Sequence, residues 1–195
     1  MAPSTYNISS TTLAGLNPVA YGSGMSEWCA NCHGSMHLNT YTSGASLQTS
    51  GTNVHPAGNG AKLSAAGIYN NYNAYVTSGI MTGSAATAYT DLVPFETGDS
   101  SFTALKALSA GNTTGATTNS NAQCLSCHRA HASGFTSMAR YGIDQELVTT
   151  GANAYSIGRG ATYTTADMQT AYYGRPATVF AAYQRDLCNK CHAKD

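Results

Sequence analysis

The stretch CLSCHRAHASGF, residues 124–135, holds two cysteines two residues apart, a histidine directly after them and a second histidine three residues further on. In the pattern C-x-x-C-H, two thiols bond covalently to a haem and the adjacent imidazole binds its iron. Cys124, Cys127 and His128 fit this pattern, and His131 is left over. The stretch therefore predicts a c-type haem and raises the question of what His131 binds.

The same pattern accounts for every cysteine in the chain. The chain has six cysteines, and the segments CANCH and CNKCH supply the other two motifs: Cys29, Cys32 and His33, and Cys188, Cys191 and His192. A zinc site would use converging C-x-x-C pairs without a histidine after each, and a thioredoxin-like redox pair would occur once. The sequence therefore predicts three covalently attached haem c groups and leaves no cysteine for a disulfide.

The histidine count matches the needs of three haems. Of the six histidines, His37, His55 and His131 lie outside the motifs. Three irons with two axial positions each need six ligands, so the count predicts bis-histidine ligation throughout. Two alternatives remain: a stray histidine can be an ordinary surface side chain, and Met36 or Met138 can serve as a ligand or as a filler around a large cofactor.

The spacing of the paired histidines predicts that each pair serves two haems. If the motif lies on a helical turn, residues three or four apart project from one face, about 5 to 6 Å apart at their β-carbons. Two imidazoles that point the same way cannot bind opposite sides of one iron. His131 is therefore expected to bind a different haem from His128, and His37 a different haem from His33, which would set two porphyrins side by side.

The remaining stray histidine is predicted to lie in a loop. His55 is part of NVHPAGNG, residues 53–60, where the proline favours extended backbone before it and the glycines allow a tight turn. The third haem has no spare histidine close by in sequence. It takes its second ligand either from far upstream or from another molecule.

Composition predicts one coil-rich domain. A chain of 195 residues is normally a single domain, here a trihaem cytochrome domain over residues 1–195, and aliphatic residues are scarce. We expect mostly coil with short α-helices and little or no β-sheet, wrapped around a stacked chain of haems. Helical spacing of apolar residues indicates helices in 64–76, in 99–111 with a cap at Asp99 or Ser100 and a stop at Gly111, and from Pro176 through the third motif.

Charge excludes several classes of partner. The chain has nine basic and nine acidic residues, so neither a nucleic acid nor an acidic protein is an expected partner. All five arginines follow position 128, where their forked guanidinium groups would suit haem propionates or simply face solvent. The sequence contains no run of about 20 apolar residues, so no membrane span is predicted. Covalent haem attachment implies export, although residues 1–7 do not resemble a signal peptide.

Several segments resemble a known family. The segments EWCANCHGSMH, CLSCHRAHASGF and RDLCNKCHAKD, with NVHPAG between the first two, are similar to the multihaem outer-surface c-type cytochromes of metal-reducing bacteria, several of which form extracellular nanowires. The resemblance implies a continuous haem stack, head-to-tail joining of subunits and an axial histidine that a neighbouring subunit can donate. The well-known filament members carry four or more haems, whereas this chain has three motifs.

Two functions follow as alternatives. The first is a subunit of an extracellular or cell-surface conductive filament. Subunits that join through a heterologous interface that does not close necessarily form such a filament. The second is a soluble monomeric electron shuttle in the periplasm or at the cell surface. Either would exchange electrons with other redox proteins or extracellular acceptors. An enzyme is not expected, because six histidines can cap all three irons and leave no open position for a substrate.

Overall fold

The structure is a computed structural model that describes residues 2–3, 18–19, 21–33, 57–58, 61–63, 68–78, 84, 87, 89, 93–109, 116–130, 133–142, 145–157 and 163–190. Most of these residues form turns and coil. The α-helices are short: α1 (Met25–Ala30), α2 (Ile68–Ser78), α3 (Phe102–Ser109), α4 (Cys124–Cys127) and α5 (Thr165–Ala171). Single 3₁₀ turns cover Thr136–Met138, Ala177–Val179 and Cys188–Lys190.

The described sheet is limited to two antiparallel pairs of two-residue strands. Strand β1 (Ala2–Pro3) pairs with β2 (Pro18–Val19), and β3 (Glu96–Thr97) pairs with β4 (Ser120–Asn121). In the second pair, Glu96 lies opposite Asn121 and Thr97 opposite Ser120. The expected fold class, coil with short helices and little β-sheet, is confirmed.

Two of the three predicted helices are present. Helix α2 begins at Ile68, four residues later than predicted, and runs to Ser78. Helix α3 begins at Phe102 and is capped one residue beyond the predicted positions, because the Ala104 amide donates to the Ser101 hydroxyl at 3.4 Å. The side chain of Phe102, the first residue of α3, is 78 % exposed. The predicted stop at Gly111 lies outside the described residues.

The helix predicted from Pro176 onward is wrong. The segment forms only the 3₁₀ turns Ala177–Val179 and Cys188–Lys190, with coil and a further turn at residues 182–183 between them. Its peptide groups pair elsewhere in the chain: the Val148 amide donates to the Gln184 carbonyl at 2.7 Å and the Asp186 amide to the Glu146 carbonyl at 2.9 Å. These long-range bonds replace the bonds of a helix, which shows tertiary context overriding local propensity.

The core of the described chain is aromatic rather than aliphatic. The rings of Tyr141 and Tyr172 stack with centroids 4.3 Å apart, and Tyr155 stacks on Tyr172 at 5.2 Å. Tyr89 meets Tyr141 and Tyr172 edge to face. Because edge-to-face and offset stacked rings attract one another beyond the burial of their area, this cluster stabilises a chain with few aliphatic side chains.

Among the described residues, none belongs to a helix of the length and apolarity that crossing a bilayer requires.

Candidate haem-attachment site

Helix α1 carries the first motif. It begins after Gly24, whose backbone has a positive φ of 96° that suits glycine, and the Trp28 amide makes the first helical bond to the Gly24 carbonyl. The amides of Cys32 and His33 both donate to the Cys29 carbonyl at 3.1 Å. The helical turn therefore continues through the motif to His33, whose side chain is exposed.

Helix α4 carries the second motif and ends before its histidine. The Gln123 amide donates to the Ser126 hydroxyl at 3.1 Å, and the helix covers Cys124–Cys127. His128 has extended backbone, with φ −114° and ψ 160°. The premise that His128 and His131 share one helical face is therefore wrong for this motif. The assignment of His131 to a different haem stays a prediction, because His131 lies outside the described residues.

A backbone carbonyl holds the His128 imidazole. Its Nδ1 lies 2.9 Å from the Ser137 carbonyl oxygen. Because a carbonyl can only accept, Nδ1 carries the proton, and Nε2 is the ring nitrogen that could bind a metal. Ser137 and Met138 both have positive φ, 56° and 55°, an uncommon backbone for residues other than glycine. This tight turn presents the carbonyl, so the residues of the second motif fit a haem.

The first two motifs lie side by side. Helix α1 packs against α4, and the Cys124 amide donates to the Ser26 hydroxyl at 3.3 Å. Burial raises the pKa of the Cys29 thiol, and the nearby Cys124 raises it further. No described group of three histidine, cysteine or acidic side chains could hold a bare metal ion.

A buried carboxylate joins the two motif helices. Glu96, fully buried on β3, accepts from the Ser26 amide at 3.2 Å, from the Ser26 hydroxyl at 3.4 Å and from the Asn121 side-chain amide at 3.1 Å. Burial raises the pKa of the Glu96 carboxyl, and the hydrogen bonds lower it by less. The sequence did not point to these residues, because Ser26 and Glu96 are 70 positions apart and form no local motif.

Two arginines flank the second motif and bind the protein itself. Arg140 donates to the Leu125 carbonyl through Nε at 3.0 Å and Nη2 at 2.8 Å, and to the Tyr173 hydroxyl at 2.8 Å. Arg129 donates to the Ala171 carbonyl at 2.9 Å and lies over the Tyr173 ring. Arg140 thus binds protein groups and does not face solvent, and the pairing of arginines with haem propionates stays a prediction.

The third motif and the stray histidines are described only in part. The backbone of Cys188 lies in the 3₁₀ turn Cys188–Lys190. Lys190 is fully buried, and its ammonium lies 2.5 Å from the Gln184 side-chain oxygen and over the Tyr89 ring. Five predicted site residues lie outside the described residues: Cys191, His192, His37, His55 and His131. The alternative ligand Met36 also lies outside them. Met138 follows Ser137 in the tight turn, and its side chain is 41 % exposed.

The fold and the motif turns define the class of multihaem c-type cytochromes. No family model matches the chain. It is 48 % identical, over an alignment of 213 residues, to the C-type cytochrome OmcS of Geobacter sulfurreducens, and the alignment covers 100 % of this chain and 45 % of OmcS. The resemblance to the outer-surface cytochromes of the nanowire group is confirmed.

Solved structures agree with the sequence comparison. A cryo-EM structure of OmcS nanowires and a structure described as an outer membrane cytochrome S filament, both from Geobacter sulfurreducens, match with a TM-score of 0.71 and 46 % identity. Each match covers 100 % of this chain and 48 % of the other. The chain thus spans about half the length of the relatives it matches.

Proposed function

We propose that this chain is a single-domain trihaem electron carrier and the repeating subunit of an extracellular conductive filament. Similarity over the whole chain to a c-type cytochrome, and to structures titled as nanowires and a filament, supports the proposal. Electrons would pass along the haems of one subunit and on to those of the next subunit, joined head to tail. Extracellular acceptors or other redox proteins would receive them.

The observation that carries the proposal is the contact between the first two motifs. Helix α1 packs against α4, the Cys124 amide donates to the Ser26 hydroxyl, and Cys29 and Cys124, each the first cysteine of its motif, lie close together. Once both sulfurs are thioethers, two porphyrins would be attached next to each other. Such closeness suits electron transfer between haems and has no role in a protein that stores or transports single haems.

Each motif residue has a defined part in this function. The haem iron supplies the chemistry, a one-electron change between ferric and ferrous states. The cysteine pairs Cys29 and Cys32, Cys124 and Cys127, and Cys188 and Cys191 would hold the three porphyrins, and the motif histidines His33, His128 and His192 would bind the irons. His37, His55 and His131 would supply the second histidine ligand of each iron. No position is left for a substrate, so the protein is an electron carrier and not an enzyme.

Spectra of histidine variants test the ligand set. His37→Ala, His55→Ala and His131→Ala should each convert one low-spin haem in three to the high-spin form, because each removes one axial imidazole. The matched controls are Met36→Leu and Met138→Leu, which should leave every haem low-spin. If a histidine variant keeps a wholly low-spin spectrum, that histidine is not an axial ligand. If a methionine variant shows a high-spin haem, that methionine is an axial ligand.

The haem count is tested by mass. The intact protein should have the mass of the polypeptide plus three haems, and the Cys124→Ala, Cys127→Ala double variant should lose one. Pyridine haemochrome spectra of the same samples should give a ratio of three haems to one chain. A ratio below three for the unaltered protein would mean that one of the motifs does not bind haem.

Electron microscopy tests the assembly. Negative-stain images of the native protein from the extracellular fraction should show long filaments with the haem spectrum in the same fraction. Dissociation of those filaments should turn one haem high-spin if the third haem takes its second histidine from a neighbouring subunit, and none if that histidine comes from the same chain. Uniform small particles in the periplasmic or cell-surface fraction would contradict the filament and favour the soluble shuttle.

A further inference from the structure

The side chain of Arg140 is built into the turn that carries the second motif. It is only 8 % exposed. Its guanidinium makes two bonds to the Leu125 carbonyl, at 3.0 and 2.8 Å, and a longer one of 3.5 Å to the His128 carbonyl. Its own backbone amide donates to the Cys127 carbonyl. The guanidinium therefore lies against the peptide groups to which the second haem would be attached.

The charge of Arg140 is not neutralised within the described part of the chain. Its hydrogen-bond partners there are the Leu125 and His128 carbonyls and the Tyr173 hydroxyl, all of them neutral. By contrast, Arg185 forms an ion pair with Glu146 at 3.0 Å. An arginine stays protonated in a protein, so a full positive charge lies buried beside His128.

A buried fixed charge acts on a redox centre without the screening that water and salt give at the surface. Reduction adds one electron to the haem, and a nearby positive charge favours the added electron. We propose that Arg140 raises the reduction potential of the haem attached at Cys124 and Cys127, and so favours the electron on that haem more than a neutral side chain at the same position would. This inference rests on the proposed haem attachment and assigns a tuning role to a residue outside the motif.

Reduction potentials of charge variants test this inference. In Arg140→Gln, one of the three components of a spectroelectrochemical titration should shift to a more negative potential while the other two stay in place. Arg140→Lys keeps the charge, so its potentials should stay close to those of the unaltered protein. The matched control is Lys106→Gln, which removes an equal charge from an exposed position on α3, where solvent screens it, and should shift no component.

Two outcomes would overturn the inference. The first is a titration of Arg140→Gln that matches the unaltered protein. The second is an equal shift in Arg140→Lys, which would show that the geometry of the turn matters and the charge does not. If Arg140→Gln is recovered without its second haem, Arg140→Met answers the same question, because it fills similar space with no polar end to satisfy.

Failure of the inference is distinguishable from failure of the proposed function. If the chain binds no haem at Cys124 and Cys127, the mass and the haemochrome ratio of the unaltered protein are low. If the haem is present and low-spin in every variant but no potential moves, only the role of Arg140 is lost.

Discussion

The tyrosine cluster gives a prediction in which the sign of the effect depends on one hydroxyl. Tyr172 is fully buried between Tyr141 and Tyr155, and its hydroxyl has no hydrogen-bond partner among the described residues. Burial raises the pKa of the Tyr172 phenol well above its ordinary value, and the nearby charge of Asp186 raises it further. The hydroxyl has therefore lost its bonds to water without replacing them.

We expect Tyr172→Phe to stabilise the protein. A buried donor or acceptor left unpaired costs roughly 1–3 kcal/mol, and phenylalanine keeps the ring and its stacking while it removes the hydroxyl. Part of this gain is lost because the removed oxygen leaves a small void. The expected net gain in the free energy of unfolding is about 1 kcal/mol, or about 2–4 °C in Tm for a domain of this size.

Two tyrosines of the same cluster serve as controls of opposite sign. The Tyr155 hydroxyl donates to the Arg175 carbonyl at 2.5 Å, and the Tyr89 hydroxyl donates to the Arg185 carbonyl at 2.9 Å. Tyr155→Phe and Tyr89→Phe should each lower the free energy of unfolding by about 1–2 kcal/mol, because each removes the hydroxyl that donates to a carbonyl.

The assay is denaturant unfolding of the haem-loaded protein at pH 7, followed by far-ultraviolet circular dichroism and by the Soret band. The reasoning is refuted if Tyr172→Phe is destabilised as much as the two controls. That result would mean that the Tyr172 hydroxyl makes a stabilising bond in the assembled protein.

Two further variants test the polar network and the backbone. The pKa of the Glu96 carboxyl is raised in the folded protein. Its contribution to the free energy of unfolding is therefore complete below about pH 4, where the carboxyl is protonated in the folded and the unfolded state, and is lost as pH rises through the raised pKa. Glu96→Gln should therefore raise Tm at pH 7 but not at pH 4. The side-chain oxygen of Asn121 has no partner among the described residues, so its amide can turn and accept a hydrogen bond from the new glutamine. An equal change in Tm at both pH values would contradict the raised pKa. Gly98→Ala should lose about 1–3 kcal/mol in thermal unfolding, because the new Cβ would lie 2.6 Å from the Asn119 carbonyl oxygen, whereas Gly134→Ala, with no atom within 4 Å of its Cβ, should change stability by less than about 0.5 kcal/mol. Equal losses in the two glycine variants would contradict the steric argument.

The sequence was sufficient where the chemistry is local. A C-x-x-C-H motif is five residues long, so its cysteines and histidine could be found without a structure, and the apolar spacing of α2 and α3 located both helices within a few residues. The segment from Pro176 onward has a similar apolar pattern but forms no helix, because its peptide groups bond to residues 146–149. A local pattern contains no information about such distant partners.

The supporting residues could not be predicted for the same reason. Glu96 reaches Ser26 across 70 positions, and Arg140 reaches Leu125 across 15. The positive φ of Ser137, which turns its carbonyl towards His128, has no signature either, since neither Ser137 nor Met138 is a glycine. Sequence identifies the groups that are predicted to bind the haem, and tertiary structure alone identifies the groups that hold them in place.

These supporting residues explain how a chain with such short helices can position two motifs. Isolated helices shorter than about 12 residues are marginal in water, so neither α1 nor α4 would persist by itself. The Glu96 carboxylate ties the start of α1 to the strand that leads into α4, and the Arg140 guanidinium binds the Leu125 carbonyl of α4. Hydrogen bonds of this kind are directional and strengthened by burial, so they fix one arrangement of the two turns where apolar packing would tolerate several. The proposed relay of haems depends on such fixed spacing, and here two buried charged side chains provide it.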